Sequence, residues 1–212
     1  MKYQAFIFDL NGTMINDMDY HVKAWHRILN GMGADISLER MKLECYGKNE
    51  ELLERIFPGR FSDDEKKQLG LEKEQQYQSA YKPYLHLIKG LDILLQLSKE
   101  NGIKMAIGSA AIGCNINFVV DGLNIRHYFD TFVSADDVTR SKPDPETFLK
   151  CANNLMIAPS SCLVFEDSPK GAESAQFAGM DCVIICSQHS PEDFKSLPNI
   201  VSFIDDYTSF SI

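Results

Sequence analysis

The 212-residue sequence lacks several features that would point to particular classes of protein. It has no apolar run approaching the roughly 20 residues that a membrane-spanning helix needs, and its N-terminal residues show no signal-peptide pattern. Positive charge is in deficit: the formal net charge is -9 at pH 7, so we expect no broad basic face for nucleic acid or anionic lipid. These absences predict a cytoplasmic protein with no membrane or nucleic-acid partner and, if it binds phosphate at all, a small phosphorylated ligand.

The six cysteines also lack the spacing of a zinc site or a disulfide framework. No C-x-x-C pair occurs, and no histidine accompanies a cysteine at metal-ligand spacing. We interpret them as reduced thiols in the core or at the surface. There is no heptad seam either, so we expect a monomer rather than an oligomer.

What the sequence does contain is a series of short apolar runs of β type, separated by helical patterns or loops. Because these runs are continuous rather than alternating, the strands are expected to be covered on both faces. Their order predicts a doubly wound parallel α/β sheet. The runs are Ala5–Phe8, Lys104–Gly108, Thr131–Ser134, Cys162–Phe165 and Asp181–Ile185.

The segment between the first two strands is too long to be a simple crossover and reads as helical throughout. Val22, Trp25 and Ile28 fall on one helical stripe, and further helices are predicted over residues 50–57 and 63–81. We therefore predict an α/β core of residues 1–14 and 88–212 with an all-helical cap of residues 15–87. A cap inserted at the carboxyl end of the first strand can act as a lid over a ligand site.

Polar residues follow the predicted strands in a fixed order. Asp9 follows the first strand, Ser109 the second, Lys142 the loop after the third, and Glu166 and Asp167 the fourth. Each has a plain explanation alone: a turn residue, a helix cap, a solvated lysine. Two adjacent acids at the end of a buried strand, however, are costly without a cation. Together with Asp9 they offer the hard oxygen ligands that Mg²⁺ prefers.

This ordered set resembles the haloacid dehalogenase superfamily over nearly the whole chain, and within it the β-phosphoglucomutase-like branch. Residues 8–13 are similar to the first motif of that family and Ser109 to the second. Residues 142–145 are similar to the third motif and residues 166–168 to the fourth. The resemblance implies a Rossmann-like core with a small helical cap, acting on a small phosphorylated metabolite.

By this resemblance Asp9 attacks the phosphoryl group and forms an aspartyl-phosphate. Mg²⁺ would be held by the Asp9 side chain, the backbone carbonyl of Asn11 and Asp167, with Glu166 assisting directly or through water. Lys142 would be catalytic, gripping the transferring phosphoryl group by its charge.

The remaining candidate residues are assigned to phosphate and substrate. In the core these are Gly12, Thr13, Ser109 and Ala110. In the cap they are His21, Trp25, Lys48 and Lys73. The sequence explains His21 equally well as an ordinary polar residue on a helix.

Two departures from the mutase pattern favour a phosphatase. The chain reads Ala110-Ala111-Ile112-Gly113 where the mutases have serine, lysine and asparagine side chains for the distal phosphate. Residues 47–51 contain no arginine to clamp that phosphate, and Lys48 would have to replace it. A bisphosphate intermediate would therefore be poorly held.

Asn11 is the main departure from the phosphoryl-transferring members, which have an acid at this position. An amide keeps the backbone carbonyl but cannot transfer protons in the same way, and general acid–base help is worth roughly 10²–10⁴-fold in rate. Three explanations stay open: an engineered change, a natural residue with His21 or Asp17 supplying the proton, or a phosphometabolite-binding protein with little catalysis.

We expect a Mg²⁺-dependent phosphatase acting on a small metabolite, with a sugar phosphate as the leading candidate. The alternatives are a β-phosphoglucomutase-type phosphomutase and a weakly catalytic or non-catalytic binding protein. The Glu166-Asp167 pair speaks against the metal-free dehalogenases. A phosphonate hydrolase would need a Schiff-base lysine in the cap, for which Lys23 and Lys48 are the candidates.

Overall fold

A sheet of parallel strands forms the centre of the computed structural model, which describes residues 2–212. Its strand order is β3-β2-β1-β4-β5-β6, and every neighbouring pair is parallel. The predicted doubly wound α/β fold is therefore confirmed. The strands are β1 (Ala5–Phe8), β2 (Lys104–Gly108), β3 (Thr131–Val133), β4 (Cys162–Glu166), β5 (Asp181–Ile185) and β6 (Ile200–Ile204).

The helices divide between two compact units of the chain. One unit runs up to Asn16 and resumes at His86, and the other is Asp17–Leu85; we call them the core unit and the cap unit. The cap unit contains α1 (Met18–Gly31), α2 (Leu38–Glu44), α3 (Asn49–Ile56) and α4 (Asp63–Tyr81). The core unit contains α5 (Leu91–Glu100), α6 (Gly113–Gly122), α7 (Glu146–Leu155) and α8 (Pro169–Phe177). Within residues 2–212, no helix combines the length and apolar character required to cross a membrane.

Strand β1 lies in the middle of the sheet because all four of its residues are apolar and buried. Ala5 and Ile7 face one side, where they belong to the same apolar cluster as Phe148 of α7. Phe6 and Phe8 face the other side, and the Phe8 ring stacks on that of Phe165 with centroids 4.7 Å apart. The continuous apolar run thus reflects a strand packed on both faces.

The sheet register brings the carboxyl ends of three strands together. Phe8 of β1 lies opposite Ile107 of β2 and Phe165 of β4. The ladder continues one step further, since the backbone N–H of Asp9 donates to the Phe165 carbonyl at 2.9 Å. The strand order reverses beside β1, and ligands of open α/β sheets bind at such a point.

The cap unit has an apolar interior of its own. Val22, Trp25 and Leu29 of α1 pack with Leu52 and Leu53 of α3, as the helical stripe predicts. Two elements were not predicted: the short helix α2 and the edge strand β6, which is only partly buried.

Candidate active site

Lys142 joins two of the strand ends by ion pairs. Its Nζ donates to Asp9 Oδ1 at 2.7 Å, to Glu166 Oε1 at 2.8 Å and to the Gly108 carbonyl at 3.1 Å. The side chains of Lys142, Asp9 and Glu166 are 8%, 10% and 2% exposed. The lysine therefore connects β1, β2 and β4 at the edge where the register brings them together.

The charges of this group support one another. Burial alone would lower the pKa of Lys142, but the carboxylates of Asp9 and Glu166 outweigh it and hold that pKa above its ordinary value. Burial alone would raise the pKa of Glu166, but the Lys142 ammonium and the hydrogen bonds from Ser168 hold it below its usual range. Lysine and glutamate are thus both charged at neutral pH.

The Glu166 carboxylate sits in a close-fitting pocket at the beginning of α8. Its Oε2 accepts from the backbone N–H groups of Asp167 and Ser168, both at 2.8 Å, and from the Ser168 hydroxyl at 3.0 Å. A Cβ on Gly171 would lie 1.7 Å from Oε1. Helix N-termini favour negative charge, and here that position fixes the carboxylate that faces Lys142.

Asp167 is the acid of the pair that the family resemblance assigns directly to the metal. Its hydrogen bonds from the hydroxyls of Thr13 and Ser187 are both 3.5 Å long. Gly12 has φ +76°, and a Cβ there would lie 2.0 Å from Asp167 Oδ2. The missing side chain leaves room beside the carboxylate, so the donor set of Asp9, Asp167 and the Asn11 carbonyl fits Mg²⁺.

This donor set depends on a backbone oxygen as well as on carboxylates. In the described part of the chain, no three or more His, Cys, Asp or Glu side chains converge on a point as a metal cage. Magnesium binds through one or two carboxylates with waters and substrate phosphate as the remaining ligands. Two aspartates and a backbone carbonyl are therefore donors of the kind that Mg²⁺ uses without a complete protein cage.

Ser109 directly follows β2 and is almost fully buried. Its N–H donates to the Val133 carbonyl at 2.9 Å, and its hydroxyl accepts from the Ala111 N–H at 3.2 Å. Ala110 lies between them and is half-buried. The serine is thus built into the loop that follows β2, one residue beyond the Gly108 carbonyl that Lys142 contacts.

Asn11 lies in the tight turn that follows β1. The turn is closed by the Gly12 N–H, which donates to the Ile15 carbonyl at 2.8 Å, and by a bridge between Asn11 and Ile15. The backbone around position 11 is therefore fixed whether the side chain is an amide or an acid.

The four candidate residues of the cap unit lie in different surroundings. Trp25 is buried in the apolar interior of that unit. His21 and Lys73 contact each other, with Lys73 Nζ 2.6 Å from His21 Nδ1. Lys48 precedes α3, and its N–H donates to Glu51 Oε2 at 3.0 Å. All four therefore have contacts within the cap unit.

The family model for haloacid dehalogenase-like hydrolases matches residues 6–185 of the chain. The chain belongs to this family. The match spans the strands and loops that carry Asp9, Ser109, Lys142, Glu166 and Asp167. The protein is therefore a haloacid dehalogenase-like hydrolase, and the resemblance found in the sequence is confirmed.

Relatives of this hydrolase include a phosphatase and a mutase at similar sequence identity. It is 31% identical over 183 residues to the fructose-1-phosphate phosphatase YqaB of Escherichia coli, covering 86% of this chain and 96% of the relative. It is 32% identical over 189 residues to a β-phosphoglucomutase of Bacillus subtilis, covering 85% and 82%. The crystal structure of a β-phosphoglucomutase from Clostridium difficile superposes with a TM-score of 0.87 at 28% identity, covering 99% and 94%.

The hydrolase has one supporting residue that the sequence did not predict. The buried Tyr207 lies near the end of the chain, and its hydroxyl donates to the Thr13 carbonyl at 2.9 Å across 194 residues. Its ring is near those of Phe8 and Phe165, on the strands that carry Asp9 and Glu166. Burial raises the pKa of Tyr207, and the nearby Asp9 and Asp167 raise it further. The phenol thus remains a neutral donor to the loop after β1.

Proposed function

We propose that the protein is a Mg²⁺-dependent phosphatase that acts on a small sugar phosphate through an aspartyl-phosphate at Asp9. One observation carries the proposal: a buried lysine contacts both the first-motif aspartate and the fourth-motif glutamate at the carboxyl edge of the sheet. This arrangement keeps an ionised carboxylate and a cation together in a low-dielectric site. Phosphoryl transfer depends mainly on such positioning and charge stabilisation.

In the first step a carboxylate oxygen of Asp9 forms a bond to phosphorus as the bond to the sugar oxygen breaks. Lys142 orients that carboxylate through its contact with Oδ1 and offsets the charge of the phosphoryl oxygens. The Ser109 hydroxyl donates to one of those oxygens. Mg²⁺, held by Asp9, the Asn11 carbonyl and Asp167 with Glu166 assisting, would supply charge neutralisation when bound.

In the second step water attacks phosphorus, the acyl-phosphate bond breaks, and Asp9 and inorganic phosphate are released. Both steps need a proton transfer: the leaving sugar oxygen gains a proton and the attacking water loses one. The Asn11 amide performs neither transfer. Solvent water therefore serves in its place, and turnover is slower by roughly 10²–10⁴-fold than with an acid at this position.

The relatives support the substrate class. The phosphatase relative is named for fructose 1-phosphate, and a phosphatase of Thermotoga maritima that is 28% identical is named for phosphorylated carbohydrates. A sugar monophosphate is also consistent with the apolar residues Ala110, Ala111 and Ile112 after Ser109, which offer no side chain to a second phosphate.

Phosphate release from a panel of sugar monophosphates with Mg²⁺ tests the proposal. We expect slow release by the natural chain, release faster by about 10² or more by Asn11→Asp, and background release by Asp9→Asn. The proposal fails if neither the natural chain nor Asn11→Asp exceeds the Asp9→Asn background.

A second measurement follows the covalent step directly. Acid-quenched protein from the reaction should gain the mass of one phosphoryl group, because water activation is also slowed by Asn11. The Asp9→Asn variant should gain none. Phosphorylation at any residue other than Asp9 would contradict the proposed nucleophile.

A phosphomutase is the second candidate, favoured by the 32% identity to the Bacillus subtilis mutase. The same panel decides between them when isomeric sugar phosphates are measured alongside free phosphate. Conversion of a sugar 1-phosphate into its 6-phosphate in excess of phosphate release would support the mutase and exclude the phosphatase as the main activity.

A further inference from the structure

The cap unit contains a second buried group of ionisable residues, which the proposed reaction does not use directly. Asp17 and His21 come from the beginning of α1, and Lys73, Glu74 and Tyr77 from the middle of α4. All five are buried, with 6% exposure or less. We call these five residues the cap cluster. Buried charges on two packed helices are costly, so their arrangement needs a physical reason.

Hydrogen-bond chemistry fixes where the protons of this cluster lie. A lysine ammonium can only donate, so His21 Nδ1, which is 2.6 Å from Lys73 Nζ, must accept and carries no proton. The imidazole proton then lies on Nε2, which is 3.2 Å from Asp17 Oδ2. The Tyr77 hydroxyl donates to the same Asp17 oxygen, and its ring stacks on the imidazole with centroids 3.7 Å apart.

Glu74 is the residue that directs the lysine. Its Oε1 accepts from Lys73 Nζ at 2.9 Å and from Asn49 Nδ2 of α3, also at 2.9 Å. Adjacent residues of a helix do not normally face each other, so a contact between Lys73 and Glu74 is unusual for their spacing. The same Nζ also lies 2.6 Å from His21 Nδ1.

The geometry also shows what Lys73 prevents. The second oxygen of Glu74, Oε2, is 3.9 Å from His21 Nδ1. A carboxylate this close would by itself favour a proton on Nδ1. The Lys73 ammonium, which donates to Oε1 of the same carboxylate at 2.9 Å, also lies 2.6 Å from Nδ1 and competes with that arrangement as a donor.

We propose that Glu74 is a positioning residue: together with Asn49 it orients the Lys73 ammonium toward His21 and so fixes the imidazole proton on Nε2, facing Asp17. The inference concerns contacts inside the cap unit and stands independently of the phosphatase proposal. Where that proposal holds, it identifies what orients Lys73 and His21, two of the four cap residues that the family resemblance assigns to phosphate and substrate.

Nitrogen-15 NMR of histidine-labelled protein tests the inference. His21 is assigned by the signal that His21→Ala removes. In the natural protein at neutral pH we expect a protonated Nε2 and an unprotonated Nδ1 whose shift is that of a hydrogen-bond acceptor. A proton on Nδ1 would overturn the inference without any variant at the cluster.

Three variants then isolate the part played by Glu74. Lys73→Met removes the donor and gives the Nδ1 shift of an imidazole without it. We expect Glu74→Gln to move the Nδ1 signal at least halfway to that value. Glu72→Gln, an exposed glutamate two residues earlier whose contact is with Gln76, should leave the signal unchanged. A Glu74→Gln spectrum that coincides with the natural protein would overturn the proposal.

The Asn49→Ala variant and a kinetic measurement provide two further tests of the role of Glu74. If Glu74→Gln does not fold, Asn49→Ala removes only the second contact of Oε1 and should produce a smaller shift in the same direction; no shift would count against the proposal. On a substrate found by the phosphate-release panel, Glu74→Gln should raise KM by roughly tenfold with little change in kcat. A failed phosphatase proposal would leave no substrate for this assay but would not alter the NMR outcome.

Discussion

Each of the two units contains one buried lysine, and the two lysines have different partners. Lys142 of the core unit faces two carboxylates, those of Asp9 and Glu166. Lys73 of the cap unit faces one carboxylate, that of Glu74, and one imidazole, that of His21. The first compensates negative charge that the site requires. The second donates to its counter-ion, Glu74, and contacts an imidazole nitrogen of His21.

Removing each lysine should give the largest difference between the two units. Lys142→Met leaves two buried carboxylates facing each other, so we expect a loss of about 4 kcal/mol in the free energy of unfolding. Lys73→Met leaves Glu74 with its Asn49 hydrogen bond, and about 2 kcal/mol is expected. Urea denaturation of both variants checks the order. Equal losses would show that the second carboxylate adds nothing.

The contribution of the Glu166–Lys142 ion pair to stability can be measured from its dependence on pH. The folded-state pKa of Glu166 lies below its ordinary value of 4.5, so its ion pair stabilises the protein above about that pH, and the contribution is lost as pH falls below it. Because both oxygens of Glu166 accept from donors, Glu166→Gln places an amide N–H₂ against a donor and should cost about 2.5 kcal/mol at pH 7. We expect the difference in the free energy of unfolding between the unaltered protein and Glu166→Gln to shrink as pH falls from 4.5. A constant difference down to pH 3 would contradict the charged pairing.

Substituting one glycine in each unit compares the cost of backbone strain with and without a contact to a neighbouring side chain. Gly12 of the core unit and Gly33 of the cap unit both have positive φ, +76° and +88°, but only at Gly12 would a Cβ meet another residue, Asp167. Gly33→Ala should therefore cost about 1 kcal/mol from backbone strain alone. Gly12→Ala should cost about 2 kcal/mol and weaken Mn²⁺ binding, measured by calorimetry, by roughly tenfold. Unchanged Mn²⁺ affinity would remove Asp167 from the proposed ligand set.

The smallest expected effect is that of the Tyr207 hydroxyl. Tyr207→Phe keeps the ring near Phe8 and Phe165 and removes only the donor to the Thr13 carbonyl. We expect about 1 kcal/mol less stability and a change in the Mg²⁺ requirement of less than about threefold. Chemical denaturation and a magnesium titration of phosphate release measure the two quantities. A loss of activity as large as that of Lys142→Met would mean that Tyr207 does more than support the loop.

The different partners of the two lysines also explain what the sequence could predict. Lys142 and its acids follow strands whose parallel order brings their ends to one edge, so a list of strand-end residues was enough to group them. β6 was missed because Val201 and Phe203 are exposed, which breaks the continuous apolar pattern of the inner strands. Tyr207 was missed because its contact with Thr13 depends on the folded end of the chain and on no local pattern.

The cap cluster could not be found in this way. Helix α4 is polar almost throughout, and its buried positions include Lys73 and Glu74 beside Gly70 and Tyr77. A charged residue on such a helix gives no sign of whether it is buried. Lys73 and His21 were singled out by family resemblance alone. Glu74, which accepts hydrogen bonds from Lys73 and Asn49, was not predicted at all.

The central position of β1 has a consequence for the order in which the protein matures during synthesis. β1 leaves the ribosome before any other strand, but its two sheet neighbours begin only at Lys104 and Cys162. The cap unit, Asp17–Leu85, is continuous in sequence and is complete before either neighbour exists. Domains fold as units as they emerge. The strand that carries the proposed nucleophile is therefore translated well before the two strands that pair with it.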